Sequence, residues 1–269
     1  RDVLALRGDR TPTRPESPDF KHASDLTAFI KWKKPGFSVH GACYPEAHPE
    51  AATLQQDVEN LRIKQANGAE HLLTQLFFDN MHFYRFLNLA RRAGVTLPVS
   101  AGVMPIVKRS QIERTVALSS ASLPSEFTRM VSRFQDDPDS LYEAGIEYAV
   151  NQLRDLIEGG ADGVHLGQAD MPPIEARRII GDGAVIGSTA NTFEQIAARN
   201  DGETDYVGLG PFRFTTTKKN LSPVLGAEGY RTILGRMRTE NIPLPVVAIG
   251  GIELPDIPQI MRTGVDGIA

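Results

Sequence analysis

Gly159-Gly160-Ala161-Asp162-Gly163-Val164-His165-Leu166-Gly167-Gln168-Ala169-Asp170 ends one helix, carries one strand and opens one loop. Upstream, Ile146, Val150, Leu153 and Ile157 recur at helical spacing. The glycine pair accepts the left-handed backbone that stops such a helix. Gly163–Leu166 is short and apolar, as a buried strand is, and Gly167 starts the loop. The same cadence returns in Gly68-Ala69-Glu70-His71-Leu72 and in Gly264-Val265-Asp266-Gly267-Ile268. A helix end that runs directly into a strand, repeated along a chain, implies parallel β/α units.

Working outward, strands are expected at Val3–Leu6, Phe37–Cys43, His71–Phe78, Leu97–Gly102, Gly163–Leu166, Ala184–Ser188, Tyr206–Gly210 and Pro245–Gly250, with a fragment at Gly267–Ala269. Helices are expected at Ser24–Lys31, through Leu54, Val58 and Leu61 to Asn67-Gly68, and at Met81–Arg92, Gln111–Leu118 and Ser125–Phe134. After the long helix that enters the quoted stretch come Pro173–Ile180, Phe193–Ala198, Gly229–Met237 and Asp256–Arg262. The fold class is α/β, a (β/α)8 TIM-type barrel of parallel strands with one strand to spare. In such barrels the chemistry sits on the loops after the strands.

The chain has 269 residues, 41% hydrophobic and 23% charged, enough for one sizeable core. A net charge of −4 with scattered lysines and arginines gives no reason to expect nucleic acid as a partner. No apolar run is long enough to cross a membrane and no signal peptide is visible. The single cysteine, Cys43, excludes an internal disulfide and fits a cytoplasmic location. Small-molecule substrates are therefore the expected partners. The chain starts at Arg1 almost within a strand and stops at Gly267-Ile268-Ala269 within another, so both ends are expected to be cut.

Four polar clusters follow consecutive strands in the first half: Arg7-Gly8-Asp9, Tyr44-Pro45-Glu46-Ala47-His48-Pro49, Thr74-Gln75 with Asp79, and Gly102-Val103-Met104-Pro105. Asp9 suits a ring nitrogen, Tyr44 a flat ring, and Gln75 an amide edge. His48, Asp57 and Lys64 suit ribose and pyrophosphate. Each alone is as compatible with an ordinary cap or surface residue; the ordered set is what points to a cofactor. That set resembles methylenetetrahydrofolate reductase, an FAD-dependent folate enzyme on a (β/α)8 barrel, over about residues 1–166. Ala5-Leu6-Arg7-Gly8-Asp9, Ala23-Ser24-Asp25-Leu26, Tyr44-Pro45-Glu46-x-His48-Pro49-Glu50, Thr74-Gln75-x-Phe77-Phe78-Asp79 and Gly102-x-Met104-Pro105 fall in family order. The resemblance implies reduction of 5,10-methylenetetrahydrofolate to 5-methyltetrahydrofolate, with NADH as reductant. It implies FAD contacts from Arg7, Gly8, Asp9, Ala23, Tyr44, His48, Ala51, Asp57, Asn60 and Lys64, and catalytic positions at Asp9 and Gln75. The chain departs from the family in lacking its first three strands, which carry a glutamate general acid. It also has His22 where a tyrosine is expected, Arg109 near an expected aromatic, and Gly167-Gln168-Ala169-Asp170 in place of a Tyr-Thr-x-Asn loop.

In the second half, His165-Leu166-Gly167-Gln168-x-Asp170, Gly187-Ser188-Thr189, Gly208-x-Gly210-Pro211, Thr215-x-Thr217-Lys218 and Ala248-Ile249-Gly250-Gly251-Ile252 again follow strands. Strand-end glycines let backbone N–H groups approach an anion, and Thr, Lys and Asp add donors, charge and a cation ligand. Together these motifs resemble thiamine phosphate synthase, over about residues 161–269. That family joins a pyrimidine diphosphate to a thiazole phosphate and releases pyrophosphate. The resemblance implies Mg²⁺ on Asp170, the pyrimidine diphosphate on Ser188 and Lys218, and the thiazole phosphate on Thr215, Thr217, Gly250 and Gly251. The family's first three strands and most of its last are missing, and Phe214 replaces a proline.

A designed chimera, a natural fusion and an assembly error all give this pattern. Three readings compete: a reductase-derived flavoprotein, a synthase-derived phosphate binder, and a chimeric barrel without turnover. In each, the two half-barrels are expected to make one joint domain, the strand through Val164 pairing with those at Leu97 and Val185. One slot remains contested, between the Pro245 and Phe37 strands. Val3–Leu6 is expected to take it and Gly267–Ala269 to fray, because the first offers more apolar surface.

Overall fold

The computed structural model describes residues 2–8, 19–108, 110–112, 121–167, 172–214 and 222–269. Nine parallel strands form a closed barrel in chain order: β1 Asp2–Ala5, β2 Ser38–Cys43, β3 His71–Thr74, β4 Val99–Val103, β5 Gly163–Leu166, β6 Val185–Ala190, β7 Tyr206–Leu209, β8 Val246–Ala248 and β9 Gly267–Ile268. The described helices on the outside are α1 Ala23–Lys33, α2 Leu54–Ala66, α3 Asn80–Arg92, α4 Ser125–Phe134, α5 Pro138–Glu158, α6 Pro173–Ile180, α7 Phe193–Ala197, α8 Gly226–Thr239 and α9 Ile257–Met261. The expected helix at 111–118 lies largely outside the described residues. None of the described helices is long and apolar enough to cross a membrane.

Local chemistry sets the ends of these elements. Thr53, Asp79 and Thr192 each accept a backbone N–H in the first turn of α2, α3 and α7, at 3.1, 2.9 and 3.3 Å. Asp137 does the same for α5, whose Pro138 occupies the first turn, where no donor is needed. β3 is shorter than the sequence suggests. Gln75 turns the chain, its N–H donating to Cys43 and its side-chain oxygen accepting from Leu76 N–H at 2.9 Å. Phe77 and Phe78 then bury themselves in the helical layer instead of extending the strand, their carbonyls held by Gln152 and Tyr148 of α5.

The acidic residue just before a strand acquires a physical role here. Asp162, just before β5, accepts from Val99 N–H through its carboxylate (2.8 Å) and donates its own N–H to Val99 O (2.9 Å). Its carbonyl accepts from Val185 N–H at 3.2 Å, so one residue starts β4, β5 and β6 together. Asp205 grips Ile186 in the same way before β7, and Asp266 grips Val246 before β9. The strand through Val164 pairs with β4 and β6 as expected. The larger core runs across this point, from Cys43, Leu72 and Phe83 to Val164, Ile180 and Ile186. A second core lies under α7 to α9, and a small satellite gathers Phe78, Ile106 and Phe127.

The TIM-type barrel is as expected, but its closure is not. Val3–Leu6 does not displace the C-terminal segment: β9 pairs with both β8 and β1, and Ala269 N–H donates to Ala248 O at 2.8 Å. β1 pairs in turn with β2 over four residues. Side-chain area is a poor guide to this slot, because leaving β1 or β8 as an open edge strands a row of backbone donors and acceptors. Gly267 makes the insertion possible: a Cβ there would stand 2.5 Å from Asp2 O. Gly267→Ala is therefore expected to lower unfolding stability by about 1–3 kcal/mol, read as a reduced denaturation midpoint. An unchanged midpoint would mean that β9 does not close the barrel.

Candidate functional site

The first set of site residues gathers at the strand ends of β1 to β3. Arg7 grips Glu50 with both terminal nitrogens, at 2.8 and 2.6 Å. Glu50 N–H donates to His48 Nδ1 at 3.0 Å, and Ala51 N–H to His48 O at 2.8 Å. The Tyr44 and His48 rings meet edge to face, centroids 4.7 Å apart. His48 N–H donates to the Asp57 carboxylate at 2.9 Å. Gln75 stands beside Tyr44 because its N–H is bonded to Cys43 O. Gly8 has φ +81°, a conformation glycine adopts without strain. Asp9, the expected catalytic position, lies outside the described residues, as does Arg109.

Asp57 and Lys64 belong to a layer behind that rim, between β2 and α2. Lys64 Nζ donates to Ala42 O at 2.6 Å, and a Cβ at Gly41 would touch its side chain. Burial pushes the Asp57 carboxyl up, opposed mainly by the His48 N–H and then by Lys64. Burial pulls the Lys64 ammonium down, opposed by Cys43 and Asp57. Burial also raises the Cys43 thiol, which stays un-ionised and inert. As they stand, Asp57 holds the Tyr44–Pro49 loop through His48 N–H, and Lys64 ties α2 to β2 through Ala42 O. Asn60 hydrogen-bonds Asp57 from the exposed side of α2, and Ala23 opens α1 with its carbonyl accepting from Thr27.

The second set lies only in part within the described residues. Asp170, Thr215, Thr217 and Lys218 lie outside the described residues. Ser188 does not face the barrel interior: its neighbours Ile186 and Ala190 are in the helix-facing cores, and its hydroxyl accepts from Arg199 Nε at 2.5 Å. Strand alternation gives the inward position to Thr189, whose hydroxyl is 3.2 Å from His165 Nε2. His165 Nδ1 lies 2.9 Å from the Tyr206 hydroxyl, whose pKa burial pushes up to about 12. Gly250 and Gly251 have φ of +89° and +69°, a left-handed backbone that glycine adopts without strain. The loop after β7 folds over them: Phe212 and Arg213 N–H donate to Ile249 and Gly250 carbonyls. Arg213 is ion-paired with Asp256 and Glu253, so a cation stands next to the glycine pair.

Thr189 stands in the motif Gly187-Ser188-Thr189, whose role is expected of Ser188, and none is expected of Arg199 or Arg213. Period-two counting puts Thr189 on the same face as Gly187, but which face is the interior depends on the place of the strand in the barrel. Arg199 and Arg213 carry no motif. Among the described residues, no three metal-ligating side chains come together. A surface groove of about 590 Å³ runs between α3 and α5 beside Tyr84, Asp155 and Glu158, on the outer wall and away from both sets.

With both rims in view, the relatives of the chain can be placed on it. The family model of methylenetetrahydrofolate reductase matches residues 1–171. The chain belongs to the methylenetetrahydrofolate reductase family. The family model of thiamine monophosphate synthase matches residues 139–269, so α5 and β5 fit both patterns. Thiamine-phosphate synthase of Phocaeicola vulgatus is 62% identical over 109 residues, 40% of this chain and 52% of that protein. The Bacteroides thetaiotaomicron synthase is 62% identical over 108 residues, with the same coverage. Methylenetetrahydrofolate reductase 1 of Schizosaccharomyces pombe is 31% identical over 170 residues, 61% of this chain and 28% of that protein. The chain thus spans about half the length of the synthases it matches. A solved thiamine phosphate pyrophosphorylase from Pyrococcus furiosus aligns over 86% of this chain and 84% of that one, at TM-score 0.47 and 22% identity.

The Asp57 carboxylate is the acceptor that fixes the site loop. Asp57→Ala leaves the His48 N–H without that acceptor and is expected to cost about 1–3 kcal/mol. Asp57→Asn keeps an acceptor oxygen and is expected to recover most of the loss. Equal losses in the two variants, measured by chemical denaturation, would show that the hydrogen bond is not what holds the loop.

Proposed function

We propose that the protein is a flavin-binding barrel of the methylenetetrahydrofolate reductase type, fused within one sheet to a phosphate-binding segment of the thiamine phosphate synthase type. The observation that carries this reading is the chain Arg7–Glu50–His48–Asp57 at the ends of the first strands, inside the family match. The donor set suits FAD in part. Tyr44 and His48 offer ring faces, Arg7 a cation, and Gln75 an amide edge; Asp57, Asn60 and Lys64 would act from the support layer. When bound, FAD supplies hydride chemistry, with NADH as reductant and a folate as acceptor, while the protein supplies orientation. The proposed setting is cytoplasmic, with small molecules rather than nucleic acid or membrane as partners.

The test is titration with FAD, followed by flavin absorbance and fluorescence. Weak binding and poor retention on gel filtration are expected. Arg7→Ala or Tyr44→Ala should each weaken it roughly tenfold, the equivalent of about 1.4 kcal/mol. A flavin spectrum unchanged at saturating FAD would overturn the flavin reading.

A second reading rests on the high identity to the synthases and on the paired glycines beside Arg213. Here the chain would hold thiazole phosphate or pyrophosphate with Mg²⁺, Asp170 serving the cation and Thr189 taking the inward place expected of Ser188. Thermal stabilisation by pyrophosphate with Mg²⁺ is expected in the native chain. It should vanish in Gly251→Ala, where a Cβ would meet Arg213 O at 2.8 Å. Stabilisation that survives the substitution would place the anion elsewhere. A folded protein indifferent to both ligands is a chimeric barrel without turnover.

A further inference from the structure

At the opposite end of the barrel, four side chains from four consecutive strands form an unbroken line. Val39, Cys43, Leu72, Val99 and Ala101 face the helices or are fully buried, so alternation turns His40, His71 and Ser100 to the interior. His40 Nε2 lies 3.3 Å from Asp2 Oδ1 and 3.3 Å from Ser38 Oγ. His40 Nδ1 and His71 Nδ1 lie 3.3 Å apart, and His71 Nε2 is 3.0 Å from Ser100 Oγ. None of these groups enters the rim chemistry.

The donor inventory fixes the direction of this line. A carboxylate only accepts, so His40 Nε2 carries its proton toward Asp2. The Ser38 hydroxyl donates to Glu70 Oε2 at 3.0 Å, so it too can only accept from His40. Neutral His40 therefore presents a bare Nδ1, and His71 must donate from its own Nδ1. Neutral His71 then has a bare Nε2, which accepts from the Ser100 hydroxyl. Both histidines are committed to one tautomer each, and opposite ones.

We propose that Asp2, His40, His71 and Ser100 form a one-proton relay, in which uptake of a single proton by His40 reverses the hydrogen bonds from His40 to Ser100 while His71 stays neutral. Before uptake the pair holds one proton on His40 Nε2 and one on His71 Nδ1. Afterwards His40 holds two, its Nδ1–H donates to His71 Nδ1, and the His71 proton sits on Nε2, donating to Ser100 Oγ. The pair has gained one proton and no bond other than N–H or O–H has changed. The Ser100 hydroxyl is released to a new acceptor.

The surroundings select His40 over His71 as the site of charge. His40 faces the Asp2 carboxylate on β1 and Glu70 before β3, which is itself held by Lys31 of α1 at 2.5 Å. His71 faces His40 and, more distantly, Asp162 before β5; burial first, then His40, pulls it down to about 4. Protonation of His40 on β2 is thus felt two strands away, at Ser100 on β4, which lies opposite Gly163 of β5.

Ring-nitrogen NMR of the intact chain tests this, with His71→Asn and His40→Gln used to assign the two rings. At neutral pH, His71 should be the Nδ1–H tautomer and His40 the Nε2–H tautomer. As His40 titrates, His71 should switch to Nε2–H without becoming charged. In Asp2→Asn, which removes the carboxylate partner of His40, both events should move together to lower pH. A His71 ring that keeps its Nδ1–H through the His40 titration, that ionises in the same step, or that switches at an unchanged pH in Asp2→Asn overturns the relay.

Discussion

The aspartate at the head of a strand is the interaction on which this barrel depends. Asp162 uses its carboxylate, N–H and carbonyl to bond β4 and β6 at once, and so sets the register of three strands with one residue. Asp205 and Asp266 repeat the grip on the preceding strand. A parallel sheet has no hairpins to fix its register, so each strand must be placed from outside itself. A carboxylate bonded to an N–H at the start of the neighbouring strand does this before β5, β7 and β9, and two of the three aspartates are followed by small residues that fit the crowded interior. Gly163 and Gly267 are those residues: a Cβ at either would meet a backbone carbonyl of the next strand within 3 Å.

This device also explains how halves resembling two families share one sheet. The grip is local, and its partners are backbone atoms rather than family-specific side chains. Both family patterns cover α5 and β5, and the larger core passes through that region without interruption. Apolar side chains from either side need only match in volume to pack there. The closure at β9 follows the same rule. Two residues suffice because Asp266 anchors them to β8 and Asp2 N–H reaches back to Asp266 O.

Among the described residues, the two rims are held together in different ways. On the reductase side, Arg7, Glu50, His48 and Asp57 already bond one another, so a ligand must exchange some of these contacts for its own. Asp57 and Lys64 are more valuable where they are, since freeing either would leave a buried polar group unmatched. On the synthase side, the paired glycines are shaped by the loop after β7 that covers them. Arg213 supplies the nearby cation but divides it between Asp256 and Glu253.

Much of this was legible in the residues. Glycine pairs, short apolar runs and helical spacing determined the β/α rhythm, because each reports a local backbone preference. The order of Arg7, Tyr44, His48 and Gln75 after successive strands determined that they would share a rim. Three things needed the tertiary structure. Ser188 and Thr189 differ by one position, and only the strand's register against Tyr206 and Arg199 decides which faces inward. That α2 buries Asp57 and Lys64 against β2, behind the rim, is visible only in the fold. Finally, the barrel admits both β1 and β9, because backbone hydrogen bonds across a closed sheet outweigh the side-chain area by which the sequence ranks its strands.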